Sequence, residues 1–282
     1  MKILVLGGNS YIAKHFIKAY QERYELKIIR RDGVFQDYFD LKKSDFTGCD
    51  AVVNFTAVVH QKNASEAIHH TYNEELVKYI ADLACDAGVK HFVQLSTISV
   101  YGENEMIDHT TVPNPASLYG KYKLKADEYL LAQNKRMVVS ILRPTVVYGK
   151  GSPGNMATLV KILNTQLPLP LKYTNNQRAI LCIDNLVGAL GRIIDQKADG
   201  VFLIRDQEMP SIYEIAGQIK LLSSSRSILF SLPEWIYKRI RHGKFSVARK
   251  LFGDLKIDDS KTIQKLGEYR KESWKNCIGK ML

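Results

Sequence analysis

The sequence predicts an α/β fold, a doubly wound parallel sheet with a smaller C-terminal lobe. Short, almost wholly apolar segments alternate with amphipathic segments through the first half of the chain, which is typical of buried parallel strands separated by helices. A glycine-rich turn joins the first apolar segment to the first amphipathic one. After Pro144 the alternation becomes irregular, and clustered glycines and prolines indicate the start of the second lobe.

The elements can be placed along the chain from these patterns. The predicted strands lie at 2–7, 26–30, 51–55, 91–96, 137–143, 179–183 and 201–204. Helical periodicity predicts helices at 64–87, where Gly88 is a stop signal, and at 118–133. The last two strands indicate that 175–204 returns to the sheet before a final segment rich in Lys and Arg.

Composition excludes several classes of protein. With 282 residues, 45% hydrophobic and 24% charged, the chain is neither disordered nor fibrous. No apolar stretch approaches the roughly 18 residues of a membrane span, and the first residues have no signal-peptide layout, so we expect a cytoplasmic protein. The four cysteines show no metal-ligand spacing, so we expect reduced thiols and no metal.

The charge indicates an anionic ligand or surface. The formal net charge is +11, and from Arg205 onwards 16 Lys and Arg stand against 9 Asp and Glu. Nucleic acid is not the expected partner, because no recognition module or interleaved aromatic platform is present. Within 227–251, basic residues mix with large apolar ones and a tryptophan, which fits either a packing helix with a solvated face or peripheral contact with an anionic membrane.

The glycine-rich turn reads GGNSYIA over residues 7–13 and precedes a helical pattern, as in the Rossmann-like sites that hold a pyrophosphate at a helix N-terminus. Ser10 and Ala13 stand where the motif has its second and third glycines. The expected cofactor ligands here are Gly7, Asn9, Ser10, Tyr11 and Ile12. The second strand ends in Arg30 and Arg31, and not in the acidic residue that binds the ribose of NAD, which favours NADPH over NAD. A solvated basic strand end is the alternative.

Tyr119 and Lys123 lie four residues apart, on one face of the second predicted helix. A nearby cation favours phenolate, so we expect Lys123 to lower the pKa of Tyr119 and allow proton exchange with a carbinol oxygen. The preceding strand ends in a cluster of hydroxyls. We expect Thr97 to orient the substrate carbonyl, with Ser96 and Ser99 as competitors.

These residues resemble the extended short-chain dehydrogenase/reductase family, also known as the NAD-dependent epimerase/dehydratase family. The resemblance covers nearly the whole chain. It rests on the glycine turn, Asp40-Leu41 after the third strand position, Phe55-Thr56-Ala57 after the fourth, Asn73, Thr97 with Val100-Tyr101-Gly102, Tyr119 with Lys123, and Arg143-Pro144 with Val147-Tyr148-Gly149.

The resemblance implies roles for further residues. Cofactor contacts are implied for Asp40, Leu41, Phe55, Thr56, Ala57, Pro144, Val146 and Lys123, and substrate contacts for His60, Ser99, Asn155 and Arg178. Residues 1–150 would bind the cofactor, and 151–174 with 205–282 would bind the substrate. Relatives dimerise through a four-helix interface, which here would use 64–87 and 118–133.

The resemblance is strongest to bacterial 4-reductases of UDP-4-keto-6-deoxy-N-acetylhexosamines in surface-polysaccharide synthesis. We therefore expect a reductase that uses NADPH. The alternatives are a nucleotide-sugar 4-epimerase with bound NAD and, in another class, a non-catalytic dinucleotide-binding regulator. A dehydratase fits less well, because Ile98 and Ser99 follow Thr97 where the family's dehydratases carry Asp-Glu.

Overall fold

The computed structural model describes residues 1–31, 37–59, 64–172, 174–241 and 252–282. Its centre is a six-stranded, fully parallel sheet in the order β2-β1-β3-β4-β6-β9. The main strands are β1 (Lys2–Leu6), β2 (Glu25–Ile29), β3 (Ala51–Asn54), β4 (His91–Leu95), β6 (Val138–Pro144) and β9 (Gly200–Ile204). Two short parallel pairs lie outside this sheet: β7 (Val146–Tyr148) with β8 (Ile180–Cys182), and β10 (Lys256–Ile257) with β5 (Met106–Ile107).

Helices cover both faces of the sheet, which confirms the doubly wound α/β prediction. They are α1 (Tyr11–Tyr20), α2 (Lys43–Phe46), α3 (Glu66–His70), α4 (Leu76–Asp86), α5 (Leu118–Ala132), α6 (Asn155–Asn164), α7 (Ile183–Gln196), α8 (Ile212–Ser223), α9 (Glu234–Arg241), α10 (Ser260–Leu266) and α11 (Trp274–Met281). Alternate residues of β1 face opposite ways: Ile3 and Val5 pack with α1 and α7, whereas Leu4 and Leu6 pack with α4 and α5.

One strand position implied by the resemblance and one predicted strand need correction. No described residue between β2 and β3 forms a strand, so Asp40 does not follow a third strand; it ends the 3₁₀ turn Tyr38–Asp40, and β3 pairs directly with β1. The strand predicted at 179–183 does form, as β8, but it pairs with β7 outside the main sheet. The other returning strand, β9, joins the main sheet beside β6 as expected.

The C-terminal part of the chain has a core of its own. It is built from β7, β8, α6, α8 and α11 around buried residues that include Tyr148, Met156, Leu163, Ile215 and Ile278. Asp206 ties this core together, because it accepts hydrogen bonds from the Tyr148 hydroxyl at 2.9 Å and the Asn185 amide at 2.7 Å. Burial raises the pKa of Asp206 to about 6.

The expectation of four reduced thiols is wrong for two of them. Cys182, at the end of β8, and Cys277, in α11, form a disulfide although they are 95 residues apart. Folding α11 against β8 brings the two Cα atoms to 6.0 Å, which sequence spacing could not reveal. Cys49 and Cys85 remain free. Within the described part of the chain, no helix combines the length and apolar character needed to cross a membrane.

Candidate functional site

The glycine-rich turn connects β1 to α1 and depends on close backbone contact. Gly7 has φ +78°, and a Cβ there would lie 2.9 Å from the carbonyl carbon of Phe55. Ser10, at the second glycine position, caps α1, since its hydroxyl accepts a hydrogen bond from the Ala13 amide at 3.2 Å. Ala13, at the third, is completely buried against the sheet. Both departures from the glycine motif are therefore accommodated locally.

Of the two basic residues after β2, Arg30 is the one beside this turn. Its Cγ and Nε lie 3.1 and 3.4 Å from the position that a Cβ on Gly8 would take. Arg31 is exposed, with its guanidinium 5.9 Å from the centre of the Tyr38 ring. The Asn9 amide donates a hydrogen bond to the Arg31 carbonyl at 3.2 Å and holds the two segments together.

The residues expected to contact adenine have mixed environments. The Asp40 side chain is exposed and accepts a hydrogen bond from the Asp37 amide at 3.2 Å, so it caps its own turn. Leu41 is buried in the hydrophobic core, and its carbonyl accepts a hydrogen bond from the Tyr79 hydroxyl at 2.5 Å. Contact of either residue with a cofactor remains a prediction.

The loop after β3 is held by asparagines. Asn54 Oδ1 accepts hydrogen bonds from the Thr56 amide at 3.0 Å and the Thr56 hydroxyl at 2.7 Å. Phe55 and Thr56 are buried, whereas Ala57, just beyond the carboxyl end of β3, is exposed. The substrate residue expected at His60 lies outside the described residues.

Asn73 fixes the same loop from the helical side. Its side chain is completely buried, accepts a hydrogen bond from the Val58 amide at 2.9 Å and donates one to the Val58 carbonyl at 3.1 Å. It lies in a π-helical turn, Thr71–Glu75, which separates α3 from α4 and interrupts the single helix predicted at 64–87. Such turns are frequent at functional sites. In the sequence, the only sign of this role was that Asn73 interrupts an otherwise regular helical pattern.

The predicted catalytic residues meet at the carboxyl end of β4. The Thr97 hydroxyl caps the turn after this strand, accepting from the Ser99 amide at 3.1 Å, and hydrogen-bonds with Tyr119. Burial nevertheless raises the pKa of Tyr119 well above its ordinary value, and Asp127 adds to the rise. Lys123 is not among the groups that shift this pKa, so its expected effect on Tyr119 stays a prediction.

Lys123 has its own hydrogen-bond partner in this site. Its ammonium is completely buried and donates a hydrogen bond to the Leu95 carbonyl at 2.7 Å. Burial lowers the pKa of Lys123 to about 8, against which Asp127 acts by favouring the charged form. The lysine thus carries a labile charge near neutral pH.

Asp127 is a site residue that the sequence analysis missed. It is completely buried, and its Oδ2 accepts hydrogen bonds from the Ser96 hydroxyl at 2.8 Å and from Arg143 Nε at 3.0 Å. Arg143 also donates to the Tyr101 hydroxyl at 2.8 Å. Because Ser96 is engaged in this way, Thr97 is the hydroxyl of the cluster that reaches Tyr119. The available signal was an acid four residues after Lys123, on the same helix face.

The residues around this edge of the sheet fit a dinucleotide. The Thr145 hydroxyl, between Pro144 and Val146, is buried without a hydrogen-bond partner among the described residues, and so is the Tyr11 hydroxyl. Burial raises the pKa of Tyr11 to about 12, so it remains a donor. Buried polar groups are normally satisfied, and a cofactor lying over the glycine turn would supply partners here.

The two expected diphosphate ligands, Asn155 and Arg178, lie in the C-terminal half of the chain. Asn155 is exposed at the first position of α6. Arg178 is half-buried and donates to the Gly253 carbonyl at 3.0 Å, and burial lowers its pKa. No hydrogen bond or ion pair among the described residues links either of them to Thr97, Tyr119 or Lys123.

One group of potential metal ligands lies away from this edge. His70, Glu74 and Glu75 place one ligand atom each within 4.8 Å of one another. The Lys78 ammonium, however, contacts both carboxylates, at 2.6 and 2.8 Å, and so already supplies the positive charge.

Comparison with known proteins agrees with this geometry. A model of the family described as "NAD dependent epimerase/dehydratase family" matches residues 3–204. UDP-glucose 4-epimerase of Vibrio cholerae is 30% identical over 293 residues, which cover 94% of this chain and 89% of the relative.

Solved structures share the fold. UDP-glucuronic acid 4-epimerase from Bacillus cereus, in complex with NAD, superposes with a TM-score of 0.79 at 19% identity, covering 100% of this chain and 97% of the other. A dTDP-4-dehydrorhamnose reductase from Clostridium acetobutylicum gives 0.77 at 20% identity, covering 99% and 97%. At these identities the structural likeness establishes the fold alone.

Proposed function

Because the chain belongs to the NAD-dependent epimerase/dehydratase family, we propose that it interconverts the C4 epimers of a UDP-linked hexose, using bound NAD. The observation that carries this proposal is the similarity to a UDP-glucose 4-epimerase over 94% of the chain. It favours the alternative of the sequence analysis over the reductase expected there. The similarly folded Bacillus cereus epimerase binds NAD, which also favours NAD as the cofactor of this chain.

The proposed chemistry divides between the cofactor and this chain. Bound nicotinamide supplies reversible oxidation at the sugar C4. Tyr119 would take the proton from the C4 hydroxyl and return it, while the Thr97 hydroxyl orients that oxygen. Lys123, which is cationic below about pH 8 and lies one turn after Tyr119 on α5, would favour the phenolate. Ser99, two residues after Thr97, would line the substrate side.

We propose that the cofactor lies along the carboxyl edge of the main sheet. Gly7, Asn9, Ser10, Tyr11 and Ile12 would hold its diphosphate, with α1 beneath them, and the loop that begins at Phe55 would cover its ribose. Residues 1–150 would form this half, and 151–174 with 205–282 the sugar half. Asn155, at the start of α6 in the sugar half, and Arg178, just before β8, would meet the UDP diphosphate.

A second candidate function rests on Arg30. Its side chain beside Gly8 is suited to a 2′-phosphate, which would indicate NADPH and net reduction of a 4-keto sugar. The two functions share the same proton-transfer groups and differ in whether the cofactor is regenerated on the enzyme.

One experiment separates the two. The purified protein is denatured and the released nucleotide identified, and the native protein is then incubated with UDP-glucose or UDP-N-acetylglucosamine and no added cofactor. Co-purified NAD and formation of the C4 epimer support the epimerase. NADPH oxidation with a UDP-4-keto sugar, without epimer formation, would assign the reductase.

The matched controls for this assay are two tyrosines of α5. Tyr119→Phe removes the proposed acid–base hydroxyl and should lower turnover by roughly 10²- to 10⁴-fold. Tyr122→Phe removes a hydroxyl that donates to Glu66 at 2.7 Å, away from Thr97, and should leave turnover within about twofold. Equal losses in the two variants would rule out the special role of Tyr119.

We also propose a homodimer through α4 and α5. The two helices pack side by side on one outer face of the sheet, which would give a four-helix interface with a second copy. Light scattering that shows only monomers at micromolar concentration would exclude it.

A further inference from the structure

The C-terminal lobe exposes several large apolar side chains. Leu167, Ile228 and Trp235 are 59%, 66% and 68% exposed. Monomeric proteins seldom show such a surface without a use for it. These residues, with Ile162, Leu221, Leu222 and Phe230, are called the apolar face below.

Hydrogen bonds show that parts of the apolar face belong to one surface. Leu169 donates to the Ile228 carbonyl at 2.8 Å and accepts from the Phe230 amide at 3.0 Å. Along this extended segment successive side chains alternate, so Ile228 and Phe230 point outwards while Leu229 packs on the lobe's core. The outward positions are thus fixed by the backbone.

Helix α9 extends the same surface. The Tyr237 hydroxyl anchors it, donating to the Pro170 carbonyl at 2.9 Å. Trp235 points to solvent on the other side, and Arg239, one turn later, is also exposed. An aromatic ring and a guanidinium on one exposed helix face can contact an apolar part and a charged part of the same partner together.

The chain segments that carry the apolar face are strongly basic in sequence. In 155–172 and 220–241 the sequence has seven Lys or Arg and one acidic residue. Lys161, Arg226 and Arg239 are among the exposed ones. This surface would repel a basic partner and attract a dense anionic one.

From these observations we propose that the apolar face docks on an anionic lipid bilayer. Exposed leucines, isoleucines and a tryptophan would enter the boundary between headgroups and acyl chains, while the surrounding basic residues contact anionic headgroups. Nucleic acid fits less well, since most of the exposed side chains here are aliphatic and offer bases nothing to stack on. The proposal concerns location and does not depend on which reaction the enzyme catalyses.

The two tryptophans provide a direct test, because Trp274 is only 4% exposed and Trp235 is the solvent-facing one. Protein is mixed at low salt with vesicles of phosphatidylcholine alone or with added phosphatidylglycerol. We expect co-sedimentation and a blue shift of tryptophan emission with the anionic vesicles only, both reversed by high salt. Trp235→Phe should abolish the shift.

Charge variants complete the test. Arg226→Glu with Arg239→Glu should weaken sedimentation with anionic vesicles by tenfold or more. Lys14→Glu with Lys18→Glu makes the same change in net charge on exposed positions of α1 and should have a much smaller effect. Equal weakening by both pairs, no preference for anionic vesicles, or conversion of a dimer to a monomer by Trp235→Ser would overturn the proposal.

Discussion

Lys123 and Asp127 lie one turn apart on α5, both completely buried, and each raises the population of the other's charged form. Arg143 holds Asp127 from the neighbouring strand through an ion pair at 3.0 Å. Two cations therefore share one buried carboxylate, which also raises the pKa of Tyr119. Burial has the larger effect on the pKa of Lys123 and lowers it, and Asp127 partly offsets that effect.

Replacing Asp127 by Asn should destabilise the protein strongly. Arg143 would remain buried without its counter-ion, and breaking such a pair costs about 3–5 kcal/mol. Urea denaturation measures this loss. Glu128→Gln, one residue later but exposed, should change the free energy of unfolding by less than about 0.5 kcal/mol. Indistinguishable midpoints for the two variants would contradict the importance of the pair.

The glycine turn can be tested with two glycines of similar backbone conformation. Gly7 and Gly48 have φ of +78° and +75°, but a Cβ meets backbone within 2.9 Å only at Gly7 and finds nothing within 4 Å at Gly48. Gly7→Ala should therefore abolish measurable NAD binding in calorimetry. Gly48→Ala should cost about 1–2 kcal/mol of stability and leave NAD affinity unchanged. Normal NAD binding by the Gly7 variant would move the cofactor away from this turn.

Arg30 should determine the affinity of the protein for the 2′-phosphate of NADPH. Losing a charge-assisted hydrogen bond should weaken NADPH binding by roughly tenfold relative to NADH in Arg30→Ala. Arg31→Ala, which alters the neighbouring exposed arginine, should keep the ratio. Fluorescence titration with both nucleotides measures it. If the ratio is unchanged in Arg30→Ala, this arginine does not meet the phosphate.

His91 should make the protein sensitive to acid. It is buried at the start of β4, its Nε2 lies 2.6 Å from the Ser140 hydroxyl, and burial lowers its pKa from 6.5 to about 4. The unfolded chain binds a proton between these values and the folded chain does not, so stability falls as the pH drops from about 6.5 to 4. Over this pH range the free energy of unfolding should fall by about 3 kcal/mol because of His91.

His91→Gln should flatten this part of the stability curve, whereas His15→Gln, at a half-buried position on α1, should not. Asp206 contributes the opposite trend, because its raised pKa makes folding less favourable as the pH rises from about 4 to 6. That contribution is common to all three proteins and cancels in the comparison. Parallel curves for wild type and His91→Gln would refute the assignment.

The disulfide between Cys182 and Cys277 should stabilise the C-terminal lobe. Closing a loop of this length is worth about 2–5 kcal/mol, so dithiothreitol should lower the Tm of the wild-type protein. Cys277→Ser should have the lower Tm without reductant and no longer respond to it, while Cys85→Ser should behave like wild type. Thiol titration that finds four reduced cysteines in freshly denatured protein would show that the bond does not form.

The sequence by itself determined the class of fold, and it predicted which residues transfer the proton. Apolar runs bounded by turns encode strands directly, and the spacing of Tyr119 and Lys123 places them on one helix face wherever that helix lies. The glycine turn could also be predicted from sequence, because close backbone contact requires small residues at neighbouring positions of the chain.

Only the tertiary structure decided the electrostatics and the long-range pairs. The pKa of Tyr119 is raised and not lowered, since burial and Asp127 outweigh the hydrogen bond with Thr97. The Cys182–Cys277 bond and the bond from Asn73 to Val58 join segments that sequence spacing does not relate. Burial and distance are properties of the packed chain, and pKa values and cross-links depend on them more than on which residues are neighbours in sequence.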